Sequence, residues 1–363
     1  MEIKAAKVNT KFWKSKKVFL TGHTGFKGSW ISIWLQSMGA TVKGYSLEPV
    51  TKPSLYYEAN VGENMESEIG DIRNLAQISD SIKNFNPDVL IHMAAQPLVR
   101  ESYIDPVLTY TTNVIGTVNV LEAARNCNKL KAIISVTTDK CYENKEWNLG
   151  YKEADPMGGY DPYSSSKGCA ELVTSAYRRS FFSNKNSASL ASARAGNVIG
   201  GGDWSNDRLL PDILKAFENL EPVIIRNPNA TRPWQHVLEP ISGYLVLAQM
   251  LYEFGDDYAE AWNFGPKDES CKPVKWVIDK MVNLWGESTS WKLDKNDNPH
   301  EAGLLKLNCS KALKRLKWKS MLDIEDSLRL TIDWHQNFLK GNDSLNECLS
   351  QIKEYTSLFK KVN

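Results

Sequence analysis

Apolar positions along the chain fall into short runs separated by stretches of helical period, and this alternation predicts the fold. Lys17-Val18-Phe19-Leu20 is a brief apolar run closing on Thr21-Gly22, the profile of a strand buried on both faces. A glycine-punctuated turn follows. The next segment, about 25–38, repeats Trp30, Ile33, Trp34 and Leu35 near helical period, and Gly39 is placed to end it. Further strands are predicted over 41–45, 88–92, 132–137 and 189–194, with helices over 75–84, 113–127 and 164–182 between them. Such alternation with short links predicts an α/β chain built on a Rossmann-type doubly wound parallel sheet. Past residue 195 the pattern changes. Loops at 200–203, 227–229 and 266–273 and late tryptophans (Trp262, Trp276, Trp285, Trp291, Trp318, Trp334) predict a smaller mixed α/β C-terminal lobe. The expected division gives 1–195, plus a returning segment at about 231–268, to the sheet domain, and 196–230 with 269–363 to the lobe. Lysine-rich 310–319 reads as a solvated helix face, and the last twenty residues as a polar helix or frayed tail.

Composition narrows the class. The 363 residues are 42% hydrophobic and 24% charged, a soluble globular balance of a size for about two domains. Forty-four basic side chains against 43 acidic ones leave a formal charge of +1, which excludes a generally basic nucleic-acid binder. No run of 18 apolar residues predicts a membrane span, and Met1–Lys17 has no signal-type apolar core. Cys127, Cys141, Cys169, Cys271, Cys309 and Cys348 are scattered, as in a reduced cytoplasmic protein. His23, His92, His236, His300 and His335 have no metal-ligand spacing, so no metal is expected.

Three places carry chemistry. Gly22-His23-Thr24-Gly25-Phe26-Lys27-Gly28 has the spacing GxxGxxG between a strand and a helix. There glycine permits the tight turn and removes the Cβ atoms that would block a diphosphate, which the helix N-terminus attracts. His23 and Lys27 are bulky for that turn, and the expectation is that they weaken or tune cofactor retention. Asp71, in Gly70-Asp71-Ile72, suits either an adenine amino group or the N-cap of the helix at Leu75. Ser46, at the end of the second strand, does not separate NAD from NADP. Second, Tyr163-Ser164-Ser165-Ser166-Lys167 sets a phenol and an ammonium four apart on one helix face, where the ammonium is expected to lower the phenol's pKa towards a usable base. Third, Thr138-Asp139-Lys140 follows a strand end, where open α/β sheets bind ligands. Simple hydride transfer needs no such extra acid and amine; an elimination does.

Taken together, these motifs resemble the extended short-chain dehydrogenase/reductase family, in its nucleotide-sugar branch. The resemblance rests on 21–28, 70–72, His92-Met93-Ala94-Ala95-Gln96, Asn113-Val114-Ile115-Gly116-Thr117, 137–142, 163–167 and Arg194-Ala195-Gly196-Asn197-Val198. Within the branch the chain is most similar to 4,6-dehydratases of CDP-sugars, on Thr138-Asp139-Lys140, Gly200–Trp204, Arg232–Val237 and, as a further match, Pro299-His300-Glu301-Ala302. The resemblance implies NAD as cofactor and CDP-glucose as substrate. It implies oxidation at C4, elimination of water across C5 and C6, and return of the hydride to C6. Tyr163 would take the C4 hydroxyl proton, Lys167 hold the ribose, Thr138 bond the same hydroxyl and Asp139 protonate the departing C6 hydroxyl. Lys140 stands where related dehydratases carry glutamate, as the C5 base or as an electrostatic stabiliser of the enolate. The cofactor would contact the glycine turn, Asp71, Ile72, Ala94, Ala95, Tyr163 and Lys167. Gln96, Arg100, Asn197, Arg208, Arg232, Trp234 and His236 are the expected substrate contacts. Arg194 is a second-choice phosphate cation or a structural residue, and Trp204 or Trp234 stacks on a pyrimidine or fills a core. A homodimer through the 113–127 and 164–182 helices, or a tetramer, is implied, as is a product feeding bacterial surface-polysaccharide deoxysugars. The alternatives are a dehydratase of a dTDP-, GDP- or UDP-sugar, a nucleotide-sugar 4-epimerase, and a non-catalytic sensor retaining the fold.

Overall fold

The computed structural model describes residues 6–361, apart from 185–186, 287–289 and 295–302. Pro299–Ala302 lie outside the described residues.

Six strands follow one another through the first half: β1 (Lys17–Thr21), β2 (Thr41–Ser46), β3 (Glu66–Ile69), β4 (Val89–His92), β5 (Ala132–Val136) and β6 (Ser189–Ala195). A seventh strand, Ala261–Phe264, joins beside β6. The order across the sheet is β3-β2-β1-β4-β5-β6-(261–264), with every pair parallel. The order reverses between β1 and β4, which opens a crevice above their carboxyl ends.

The inner strands are buried because helices cover both faces. On β1, Val18 and Leu20 enter one core with Trp30, Trp34 and Leu35, while Phe19 enters the other with Tyr45, Ile78 and Phe85. The first face is covered by helices Phe26–Ser37, Leu238–Phe254 and Ser344–Lys361; the second by Leu75–Phe85, Gly116–Arg125 and Pro162–Ser180. Helix 26–37 ends as expected: Met38 is the cap, and Gly39, at φ +79°, donates to Gln36 O. A separate core, built on Ile213, Leu214, Phe217, Val277, Ile278 and Leu328, lies in the later half of the chain.

Several expectations change. The helix expected over 113–127 is interrupted: a π-helical turn, Thr111–Ile115, precedes α-helix Gly116–Arg125. The 310–319 stretch does expose Lys314, Arg315 and Lys317 to solvent, but it is not solvated throughout. It holds a π-turn, Ala312–Leu316, a buried Trp318, and Lys311 and Arg315 paired with Glu260 over the Trp262 ring. For the last twenty residues the helix alternative is the one found, over Ser344–Lys361. In Ser344–Lys361 the side chains of Cys348, Ile352, Tyr355 and Phe359 are buried in the sheet-domain core. Buried Glu239 anchors this end by accepting from Met321 N, Leu322 N and the Tyr355 hydroxyl.

Candidate active site

The glycine turn is shaped by what cannot be added to it. Gly22 sits at φ +81°, and a Cβ there would lie 2.8 Å from Ala94 N. A Cβ on Gly28 would fall 1.9 Å from Gly22 O. Gly25 differs, because its Cβ would meet only Gly22 O, at 3.5 Å. That open space lies over the start of helix Phe26–Ser37, which has no side-chain cap. Its first N–H groups and positive dipole end are thus presented to a ligand, and the cradle fits a dinucleotide diphosphate.

Several neighbours are placed differently from expectation. His23 does not crowd this cradle. It is fully buried beneath Gly44, where a Cβ would strike its ring at 2.2 Å, and it hydrogen-bonds Ser67 and packs on the Tyr56 edge. Burial lowers its pKa to about 4, so it is neutral. Thr24 is spent on the loop, donating to Leu47 O and sharing a hydrogen bond with Ser46. Asp71 is not the helix cap. Asn74 fills that role, while Asp71 accepts from the Arg73 backbone and guanidinium, which hold its carboxyl low. Ile72 is buried against Gly116; Ala94 donates its N–H to Thr21, and Ala95 is half-buried after β4.

Phe26 and Lys27 line a cleft of about 1180 Å³ that runs from the turn towards the later half of the chain. Lys27 is half-buried on the cleft wall. Its ammonium stands 6.0 Å from the Tyr244 ring centroid, and burial, then Arg208 and Lys167, lower its pKa to about 7.

The reaction centre forms where three elements meet. Asp161 caps helix Pro162–Ser180, accepting from Ser164 N and Oγ, with Pro162 in the first turn. That start fixes Tyr163 on the cleft wall, and Lys167 lies buried one turn later. Thr138, Asp139 and Lys140 line the same wall just past β5. Thr138 Oγ1 donates to Asp139 Oδ1 at 3.0 Å. Asp139 Oδ2 is buried without a partner, housed where Gly196 lacks a Cβ. Burial raises the Asp139 pKa, against the pull of Lys140, Thr138 and Arg232. That suits a proton donor. The expected lowering of Tyr163 is not found: burial takes it up to about 12, and Thr138 and Arg208 favour the phenolate against that. Lys167 is instead lowered to about 8 by its own burial.

Of the expected substrate contacts, Arg100, Asn197, Arg208, Arg232 and Trp234 line the cleft. Arg100 pairs with Asp207, Arg208 with Asp203, and Arg232 donates to Thr231 O and Gly303 O. Gln96 and His236 do not line it. The Gln96 amide is consumed by Leu98 and Thr109, and His236 is fully buried against Trp30. Of the candidate stacking indoles, Trp234 is buried at the cleft wall and donates to Lys272 O, and Trp204 is half-buried against Trp334 and Phe338. Arg194 is structural, buried with Glu171 at 2.7 Å.

Sequence reasoning missed Glu171. Its carboxylate accepts from Thr137, Ser192 and Arg194 at 2.5, 2.7 and 2.7 Å, binding the Tyr163 helix to β6 and to the residue before Thr138. The signal was its position, one turn beyond Lys167 on the same stripe. Asn113 is a second such bracket. It uses the π-turn to reach Gln96 O and Ser166 Oγ together.

Comparisons with known proteins agree with this geometry. CDP-glucose 4,6-dehydratase of Salmonella typhimurium is 54% identical over 96% of this chain and 99% of its own. Two solved structures share the fold. The dTDP-glucose 4,6-dehydratase of Bacillus anthracis, in complex with NAD, has TM-score 0.73 at 21% identity, covering 91% of this chain and 100% of that one. UDP-glucuronic acid 4-epimerase of Bacillus cereus, with UDP-glucuronic acid and NAD, has TM-score 0.77 at 22% identity, covering 89% and 99%. The profile of the GDP-mannose 4,6 dehydratase family matches residues 19–331. The chain belongs to the GDP-mannose 4,6 dehydratase family, within the extended short-chain dehydrogenases/reductases.

Proposed function

We propose that this chain converts CDP-glucose to CDP-4-dehydro-6-deoxyglucose and water, with NAD as resident cofactor. The observation that carries the reading is Asp139: a buried acid with one unpartnered oxygen, hydrogen-bonded to Thr138 in the cleft that Tyr163 lines. A 4-epimerase has no work for such an acid. The nucleotide follows from likeness to the Salmonella enzyme over nearly the whole chain.

The glycine cradle, Ile72, Ala94, Ala95 and Lys167 would hold NAD, which when bound supplies a two-electron store filled and emptied again within one turnover. The chain's own residues handle protons. Tyr163 takes the C4 hydroxyl proton and Thr138 orients that hydroxyl. The 4-ketone acidifies C5–H, and Asp139 protonates the C6 hydroxyl as it leaves. Lys140 takes the C5 proton or steadies the enolate; a Lys140→Ala enzyme that still exchanges C5–H at the normal rate removes it as base. Arg208 and Arg232 offer guanidinium forks to the diphosphate.

Incubation with CDP-glucose and NAD should yield a 4-keto-6-deoxy sugar, seen by its base-induced absorbance. Parallel dTDP-, UDP- and GDP-sugars test the nucleotide; a 4-epimer, or no product from any of them, overturns the reading. The same reading makes the protein a cytoplasmic homo-oligomer. Exposed Ile104, Val107, Tyr110, Ile115 and Leu172 supply an apolar face on the expected side, and a monomer in sedimentation counts against it. Among the described residues no helix is long and apolar enough to cross a membrane.

A further inference from the structure

Gly196 is a glycine that its own backbone does not require. It directly follows β6, and its φ is not among the left-handed values that glycine serves elsewhere in the chain. The reason for the missing side chain lies in Asp139, just past the neighbouring strand β5. A Cβ on Gly196 would fall 2.4 Å from Asp139 Oδ2, with Pro233 Cγ next at 2.9 Å and Asp139 Cγ at 3.0 Å. Atoms that near overlap, so the Asp139 carboxyl in its present place and a side chain at 196 exclude each other.

The carboxyl is fixed from its other side. Thr138 Oγ1 donates to Oδ1 at 3.0 Å, while Oδ2 is buried without a partner. Asp139 and Gly196 both line the cleft, with Tyr163 on the same wall. We infer that Gly196 is a positioning residue for the elimination: the space it leaves is what sets Asp139 Oδ2 for the C6 hydroxyl. In that step the Asp139 O–H bond breaks and its proton goes to the C6 oxygen. The C6–O bond breaks with its electron pair, which leaves on the water. The C5–H pair becomes the C5–C6 double bond as the C5 proton passes to its base. Nothing is oxidised or reduced in the step. Oxidation at C4 employs Tyr163 and asks nothing of position 196. The inference rests on the dehydratase reading and assigns the elimination a requirement that the oxidation does not share.

Gly196→Ala tests it, by stopped-flow absorbance on the NAD-loaded enzyme mixed with CDP-glucose. The added methyl first meets the far end of a side chain rather than backbone, so the carboxyl should swing aside while circular dichroism and melting temperature stay as in the wild type. C4 oxidation should proceed, and NADH should build up on the enzyme and decay only as 4-keto-6-deoxy sugar appears. Steady-state kcat should fall on the order of 10²-fold, the worth of a general acid, with KM for CDP-glucose not raised. In an Asp139→Asn background the same methyl should cost nothing further, because the group it displaces is no longer an acid. If Gly196→Ala does not fold, Gly196→Ala with Pro233→Ala relieves the other close contact and carries the same expectations. A wild-type kcat, a loss without NADH build-up, or an equal loss with Asp139→Asn present overturns the inference. A wild-type enzyme that makes no 4-keto-6-deoxy sugar overturns the dehydratase reading instead.

Discussion

Replacing Arg194 by methionine should reverse the pH dependence contributed by one buried carboxylate. In the wild type, burial pushes Glu171 up, but Arg194 at 2.7 Å and the Thr137 and Ser192 hydroxyls together hold it below its ordinary pKa. A lowered acid stabilises the fold above its unfolded pKa, and that contribution is lost as pH falls through the folded value. In the Arg194→Met variant no cation opposes the effect of burial. Glu171 should then titrate above its unfolded value, so stability should fall as pH rises from about 4.3. Breaking a buried pair costs about 3–5 kcal/mol, and at roughly 2 °C per kcal/mol the midpoint at neutral pH should drop by about 6–10 °C. Thermal scans between pH 5 and 8 at one scan rate provide the assay. The drop should shrink towards pH 5, and Glu171→Met added to Arg194→Met should recover most of it. Turnover should fall too, because the Glu171 bracket sets the Thr138–Tyr163 spacing. A loss that is equal at every pH, or that Glu171→Met deepens, would refute the account of the pair.

Gly25→Ala and Gly28→Ala should separate cradle from scaffold. The first Cβ enters open space and should weaken NAD binding by calorimetry at unchanged melting temperature; the second strikes Gly22 O and should lower both. Lys27→Met should stabilise the protein: with a folded pKa depressed to about 7, wild-type stability rises with pH from there to the unfolded value near 10.4, so the gain should be largest at or below pH 7 and vanish above about pH 10. His23→Gly should leave NAD affinity unchanged, because His23 lies outside the cradle; a tightening in that variant would sink that placement. Glu239→Gln should remove a stability decline between about pH 4.3 and the folded value of about 7, since burial raises this acid; an unchanged pH–melting profile would count against it.

The sheet was legible where strands are buried on both faces and read as apolar runs. β3, Glu-Ser-Glu-Ile, escaped because an edge strand facing solvent carries no such run. The strand Ala261–Phe264 escaped because it is short and pairs with β6 across a gap of 69 positions. Motif positions were legible at the site, but side-chain directions were not. His23 sits in the glycine turn by sequence, yet its ring turns away because Gly44, on another strand, leaves a slot for it. Gln96 and His236 occupy family motifs, but their polar atoms face loops and core, which spacing alone does not reveal. Tyr163 shows the same limit in its energetics: pairing with lysine was readable, the burial that outweighs it was not.

The pairing of Ala195 with Phe264 has a consequence for engineering. The chain leaves the sheet at both of these neighbouring strand ends, at Gly196 and again at Gly265, and returns finally as helix Ser344–Lys361 against the sheet-domain core. The part that contains Arg208 and the part that contains the Val274–Trp285 helix are thus separate inserts sharing one seam. Changing the nucleotide by exchanging modules with a relative therefore cannot use a single junction. Two inserts must be transplanted as a matched pair, with cuts that leave the strand Ala261–Phe264 and the C-terminal helix of the recipient in place.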